Sequence, residues 1–392
     1  MKQLASAIAL AAVVLTATAA SAQSKQDAAK QDKTLKLNQI QVIGSHNSYN
    51  LGFAPSEAAY LKSVKPKSYA SLEYSHKSLA SQLDGGVRQL EIDVFPDPKG
   101  GRFAHPTIIQ LTKDKGLPED PYFDPKHEMD KPGIKVIHVQ DLNQRSSCPL
   151  FVDCLKQVRD WSKAHPNHVP LFLLIENKSG KSNMPGGVDV PLWTATEFDA
   201  LDKEIRSVFS DKEMILPDQV RGSYPTLREA VMAGNWPTLA DSRGKVIFLM
   251  DQRNASPVYL EGHPNLKGRV LFTHAIPSEP DAAFVEMNAG TPAEIDAVIK
   301  QGFIVRARTD EGTVAARDNN TTRRDEVLSS GATMISTDYP LSEPSVWSGY
   351  SVGFPDGMPV RCNPVSAPAT CKAELLEPGA KSAGKPSAQH HP

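Results

Sequence analysis

Four short stretches bring together side chains that can move protons or hold a cation: Ser45-His46-Asn47-Ser48, Glu91-Ile92-Asp93, His138, and Glu176-Asn177-Lys178. Each lies in or at the end of an apolar run, where an unpaired polar group carries a cost. Glu91 and Asp93 are two positions apart, which on a strand puts both on one side, ~6–7 Å apart along the backbone. Two carboxylates on one inward face call for a cation between them. Glu176 adds a third carboxylate, and with the Asn47 amide oxygen the set is all oxygen. That suits one hard cation, calcium before magnesium in an extracellular setting, and no thiolate favours zinc. The alternative is a structural ion pair with Arg88 or Lys178. A lone histidine at a strand end is more often structural, but His46 and His138 stand beside the same carboxylates. The combination suits in-line displacement at phosphorus. One imidazole would stabilise or protonate the phosphoryl oxygens and the other would protonate the leaving alkoxide. The metal would lower the pKa of an attacking hydroxyl.

These residues need elements that converge. Apolar, β-branched runs occur at Gln39–Gly44, Val87–Phe95, Lys135–Gln140, Val169–Glu176, Lys245–Asp251, Ala283–Met287, Phe303–Arg308 and Thr333–Thr337, as buried parallel strands read. Val270–Thr273 is a ninth candidate that could replace one of them. Between them, Leu150, Phe151, Cys154, Leu155, Val158 and Trp161 recur at the helical period, as do Phe198, Leu201, Ile205 and Val208. Thr291-Pro292-Ala293-Glu294 is a capping box with proline at the first helical position. Gly331 is expected to cap the helix Arg323 to Ser330. Eight such units predict an α/β protein, a single-domain (β/α)8 TIM-type barrel, with an open doubly wound sheet as the alternative. No G-x-G-x-x-G follows the first strand. In a parallel barrel the C-terminal strand ends share one face, so the four stretches would meet there.

The barrel is expected over residues 38–345. Residues 1–22 read as a signal peptide: Lys2, an apolar stretch from Leu4 to Ala20, and Ala20-Ser21-Ala22 as the cleavage site. Residues 23–37 read as a mobile leader, and 346–392 as an irregular C-terminal segment ending in a disordered tail. Export makes the chain secreted or periplasmic. There the four cysteines, in two local pairs, favour disulfides Cys148–Cys154 and Cys362–Cys371, with free core thiols as the alternative. Lys plus Arg is 43 and Asp plus Glu is 45 in 392 residues, a net charge of −2. That balance argues against nucleic acid as the main partner. No protein partner is evident from the sequence.

Ile43-Gly44-Ser45-His46-Asn47-Ser48-Tyr49, Gln89-Leu90-Glu91-Ile92-Asp93-Val94 and the stretch from Val136 to Glu176 resemble the catalytic half of phosphoinositide-specific phospholipase C, in its calcium-dependent bacterial secreted branch. The resemblance is specific over residues 39 to 178 and looser beyond. It implies a distorted TIM barrel, calcium on Asn47, Glu91, Asp93 and Glu176, and catalysis by His46 and His138. Val305 to Asp310, Ser336 to Pro340 and the stretch at Cys362 are similar to late segments of that branch. The chain shows no pleckstrin, EF-hand or C2-like segment and no strong Lys-x-Lys pair, which favours phosphatidylinositol or a related diester over polyphosphorylated inositides.

An inositol phosphate needs cations for phosphate and polar groups for ring hydroxyls. Lys178, Arg306, Arg308 and Asp251 fall at strand ends and are the expected substrate-binding residues, each alternatively paired with a neighbouring opposite charge. Transient contact with a membrane surface would accompany a phospholipid substrate. Two other functions compete. One is a glycerophosphodiester phosphodiesterase or sphingomyelinase-D-like hydrolase, which usually opens on a His-Arg-Gly type turn where this chain has His46-Asn47-Ser48. The other is a barrel that binds a phosphorylated ligand without turnover.

Overall fold

The computed structural model describes residues 25–378, 380, 382 and 384. The expected signal peptide and cleavage site lie outside the described residues. Ten strands form one sheet: β1 Ile40–Ser45, β2 Gln89–Phe95, β3 Lys135–Val136, β4 Leu171–Asn177, β5 Met214–Ile215, β6 Val246–Met250, β7 Phe284–Glu286, β8 Ile304–Arg308, β9 Met334–Thr337 and β10 Val360–Cys362. Parallel pairing runs β6-β4-β2-β1-β9-β8-β7. The circuit closes through the stretch around Phe272, bridged in parallel to Leu249 on one side and, at His274, to Phe284 on the other. The result is a distorted α/β barrel of TIM type. Its core is the apolar strand runs; Leu171 to Ile175 and Val246 to Met250 are wholly buried. Continuous burial on both faces is what parallel strands under a helical layer require.

The helices follow the sequence periodicity. Phe151–Ala164 buries Phe151, Cys154, Leu155, Val158 and Trp161, and Ala195–Val208 buries Phe198, Leu201, Ile205 and Val208. The capping box holds: Thr291 Oγ1 accepts the Glu294 N–H, and Glu294 accepts the Thr291 N–H at 2.8 Å. Among the described residues no helix is long and apolar enough to cross a membrane.

Several expectations are corrected. Lys135–Gln140 is not a barrel strand. Only Lys135–Val136 joins the sheet, antiparallel to Val94–Phe95, after an excursion that carries the helix Thr107–Asp114. The stretch around Phe272 takes the vacant place in the barrel. Gly331 does not cap its helix in a left-handed turn; Ser330 is the C-cap and is extended. A Cβ at Gly331 would sit 2.9 Å from the Val365 Cβ and 3.1 Å from Ile299, so close packing accounts for the glycine. Residues 25–32 are helical, and Asp32 holds Arg243 through two contacts of 2.6 and 2.8 Å, so this leader is anchored. The C-terminal segment is likewise built in. β10 pairs antiparallel with β1, Ile40 opposite Cys362, and Glu377 makes a buried two-pronged pair with Arg88 at 2.9 and 2.6 Å. Arg88 is therefore occupied away from the acidic cluster. Both cysteine pairs are disulfides, Cys148–Cys154 and Cys362–Cys371.

Candidate active site

Register brings the carboxylates together. β2 and β4 pair in parallel with Asp93 directly opposite Glu176, and Glu91 precedes Asp93 by two on the same face. Glu91, Asp93 and Glu176 each offer an oxygen within 4.8 Å of the others. Glu91 and Asp93 are buried, and Glu176 is half-buried at the rim.

Their neighbours show what the cluster lacks. Among the described residues Asp93 Oδ1 makes no hydrogen bond, and its Oδ2 lies 3.0 Å from Lys178 Nζ. Glu176 Oε1 takes Lys178 at 2.6 Å and the Gln252 amide at 2.9 Å. Glu91 pairs with Arg306 through Oε2 and lies 3.4 Å from His46 Nε2 through Oε1. Burial pushes Glu91 up to about 7 against the pull of Arg306 and Arg308. Burial also raises Asp93 well above the carboxylate range, with Lys178 opposing and Glu176 and Glu91 adding to it. Two buried carboxylates that resist ionisation, with a third beside them, are a site that a divalent cation would relieve.

Asn47 adds to the fit. Its backbone is left-handed, φ 46°, at the sharp turn out of β1. Its Nδ2 donates to Tyr74 Oη at 2.6 Å and to His138 Nε2 at 2.9 Å, which leaves a buried Oδ1 with no partner. An orphaned amide oxygen beside orphaned carboxylate oxygens matches the all-oxygen donor set of calcium. The residues present fit the ion.

The two imidazoles flank the same centre. His46 Nδ1 lies 2.7 Å from Asp338 Oδ1, which places the ring proton on Nδ1 and leaves Nε2 toward Glu91. His138 accepts from Asn47 at Nε2, and Asn143 Nδ2 stands 3.4 Å from Nδ1. Burial lowers both histidines well below the usual value. Arg308, Arg306 and Lys178 add to it at His46, and Lys178, His46 and Arg308 at His138. Both rings are neutral at neutral pH. His138 reaches the mouth from a loop, since the strand expected to carry it is absent.

The expected substrate residues divide. Lys178 is turned onto Asp93 and Glu176, its ammonium held charged by both carboxylates against the effect of burial. Arg306 is 2% exposed and closed in a net with Glu91, Glu286, Asn288 and Ser336. Glu286 stands opposite it in register, so the guanidinium serves the barrel interior. Arg308 is held by Asp310 at 3.3 Å and Asp338 at 3.2 Å. Asp251 makes no side-chain hydrogen bond or ion pair among the described residues, and burial, then Glu286, Glu176 and Glu91, raises its pKa.

Sequence reasoning missed Tyr74, Asp310 and Asp338 as site residues. Asp338 had a readable signal. It follows β9, and β1 pairs with β9 with Ser45 opposite Thr337, so the next residues of both chains are neighbours. Tyr74 comes from an irregular turn and carries no such signal.

The model of the calcium-dependent phosphoinositide phospholipase C family matches residues 35–364 of this chain. The chain belongs to that family. It is an enzyme, a calcium-dependent phosphoric diester hydrolase of the phospholipase C class. No curated protein matches it. Among solved structures it is similar to the apo form of a calcium-dependent phosphoinositol-specific phospholipase C from a Gram-negative Pseudomonas sp. (16% identity, TM-score 0.50, covering 85% of this chain and 96% of that one). The calcium-dependent phosphatidylinositol-specific enzyme from Streptomyces antibioticus has 18% identity and a TM-score of 0.46, covering 78% of this chain and 95% of that one. At such identity the Pseudomonas likeness concerns the fold, a barrel in both.

Proposed function

We propose that this phospholipase C cleaves phosphatidylinositol, or a closely related diester, to diacylglycerol and a cyclic inositol phosphate, with one calcium ion held by Asn47, Glu91, Asp93 and Glu176. The observation that carries the reading is the juxtaposition of an incompletely neutralised three-carboxylate cluster with two neutral imidazoles at one barrel mouth. When bound, the ion offsets phosphate charge and lowers the pKa of an attacking hydroxyl. His46 is oriented through Nδ1 by Asp338, so its Nε2 takes the proton of the inositol 2-hydroxyl. The 2-oxygen to phosphorus bond forms and the bond to the glycerol oxygen breaks; that oxygen leaves with the proton that the His46 imidazolium gives back. His138, fixed on Asn47, meets a phosphoryl oxygen or the leaving oxygen from the other wall. Asp251 offers the ring hydroxyls an acceptor. A cavity of about 290 Å³ beside Tyr74, lined in part by Leu51, Phe53, Tyr339 and Trp347, gives the lipid portion a place. Two disulfides, with the signal peptide expected at residues 1–22, support export, secreted or periplasmic.

A panel of phosphodiesters assayed with and without a calcium chelator tests this. Turnover of phosphatidylinositol with release of diacylglycerol, abolished by the chelator and restored by calcium, is expected. Turnover confined to glycerophosphodiesters or sphingomyelin would overturn it.

A further inference from the structure

The loop that carries His138 is a narrow hairpin. Val139 N–H and Asn143 N–H donate to each other's carbonyl oxygens at 3.0 and 2.9 Å, and His138 N–H donates to Asn143 at 3.2 Å. At its tip Asp141 is 2% exposed, with a left-handed backbone, φ 66°. Such a conformation is uncommon outside glycine, though aspartate tolerates it better than most. The Asp141 side chain explains why it is kept.

Its carboxylate gathers donors from two other segments. Oδ1 accepts the Thr107 N–H at 3.2 Å and the Thr107 hydroxyl at 3.0 Å. Oδ2 accepts the Ser182 hydroxyl at 2.7 Å and the Val188 N–H at 2.6 Å. The Asp141 carbonyl takes the Ile108 N–H at 3.0 Å. Thr107 opens the helix Thr107–Asp114, whose N-cap is Pro106, a residue with no side-chain acceptor. Asp141 caps that helix from outside. Ser182 and Val188 belong to the loop that leaves β4, the strand of Glu176. A Cβ at Gly187 would lie 2.4 Å from Asp141 Oδ2 and 2.1 Å from Ser182 Oγ, so the loop is built for this close approach. Among the described residues no cation shares the carboxylate; it accepts from neutral donors only, which makes each bond stronger.

We propose that Asp141 is a positioning residue for His138. It locks the hairpin tip to the helix Thr107–Asp114 and to the loop after β4, and so fixes the imidazole relative to the carboxylates on β2 and β4. The inference rests on His138 acting in the reaction. A displacement of about 1 Å in a catalytic group costs up to 10²-fold in rate.

The test is a double-variant cycle. Asp141→Ala should lower kcat roughly 10–10²-fold, with KM and calorimetrically measured calcium affinity nearly unchanged. In the His138→Ala background the same substitution should cost less than about twofold, since a group acting through His138 has nothing left to act through. Ser182→Ala and Thr107→Val each remove part of the donor set and should repeat the pattern on a smaller scale if Asp141→Ala fails to fold. Equal losses in both backgrounds, or a lowered Tm with unchanged kcat per folded molecule, would overturn the role. A His138→Ala enzyme of near-normal turnover would instead remove the reading beneath it, and that outcome is distinct from an additive cycle.

Discussion

The ammonium of Lys178 lies 2.6 Å from Glu176 Oε1. It also stands 3.0 Å from Asp93 Oδ2, so one of the chain's own cations touches two of the four residues assigned to calcium. Lys178 and calcium would compete for those carboxylates. Lys178→Met should therefore tighten calcium binding, by roughly tenfold or ~1.4 kcal/mol, when titrated calorimetrically. Unchanged or weaker affinity would show that the ion and the ammonium use different oxygens. Of the two roles expected of Lys178, substrate phosphate or a neighbouring carboxylate, its contacts are those of the second.

The pair His46–Asp338 makes a second prediction. His46→Ala and His138→Ala should each lower kcat by roughly 10²–10⁴-fold. Asp338→Asn keeps the shape but loses the carboxylate that selects the Nδ1–H tautomer, and should cost on the order of 10–10³-fold. Arg308 also leans on Asp338. An Asp338→Asn enzyme with wild-type kcat would detach this residue from His46's function.

Glu377 anchors the C-terminal segment far from the catalytic mouth. Arg88 and Glu377 are both buried, and Val169 N–H also donates to Glu377 at 2.9 Å. Glu377→Ala leaves a buried guanidinium unpaired and should destabilise the fold by about 3–5 kcal/mol, read from urea unfolding. Kinetics per folded molecule should not change. A loss under about 1 kcal/mol would mean that Arg88 finds another partner.

Acid stability should report His168. Its ring contacts Ser162 Oγ at 2.7 Å and the Val169 carbonyl, and burial lowers its pKa to about 4. The unfolded value is ~6.5. Between these values the unfolded chain binds more protons, so stability rises with pH across the window. The contribution is full above pH ~6.5 and lost progressively down to about 4, at most about 3 kcal/mol. His168→Gln should flatten that part of the stability profile. An unchanged slope between pH 4 and 6.5 would assign the acid loss to other groups.

The sequence by itself determined much of the barrel. Apolar runs bounded by turn signals mark β1, β2, β4, β6, β8 and β9, because a strand buried on both faces must be continuously apolar. It also determined that Glu91 and Asp93 share a face, since strand periodicity is local. Tertiary structure decided what depends on which strands adjoin. Lys135–Gln140 reads as a barrel strand, yet only two of its residues join the sheet, and the stretch around Phe272 closes the circuit instead. Arg306 and Arg308 were legible as strand-end cations. Their capture by Glu91, Glu286 and Asp338 was not, because partners 20 to 215 positions distant are chosen by register. The anchored ends at Asp32 and Glu377 escaped composition for the same reason. A polar stretch looks unable to bury itself until the fold supplies Arg243 and Arg88 as its counter-charges. Periodicity is written in neighbouring residues, whereas electrostatic pairing is settled only when the closed barrel brings remote strand ends within a few ångströms.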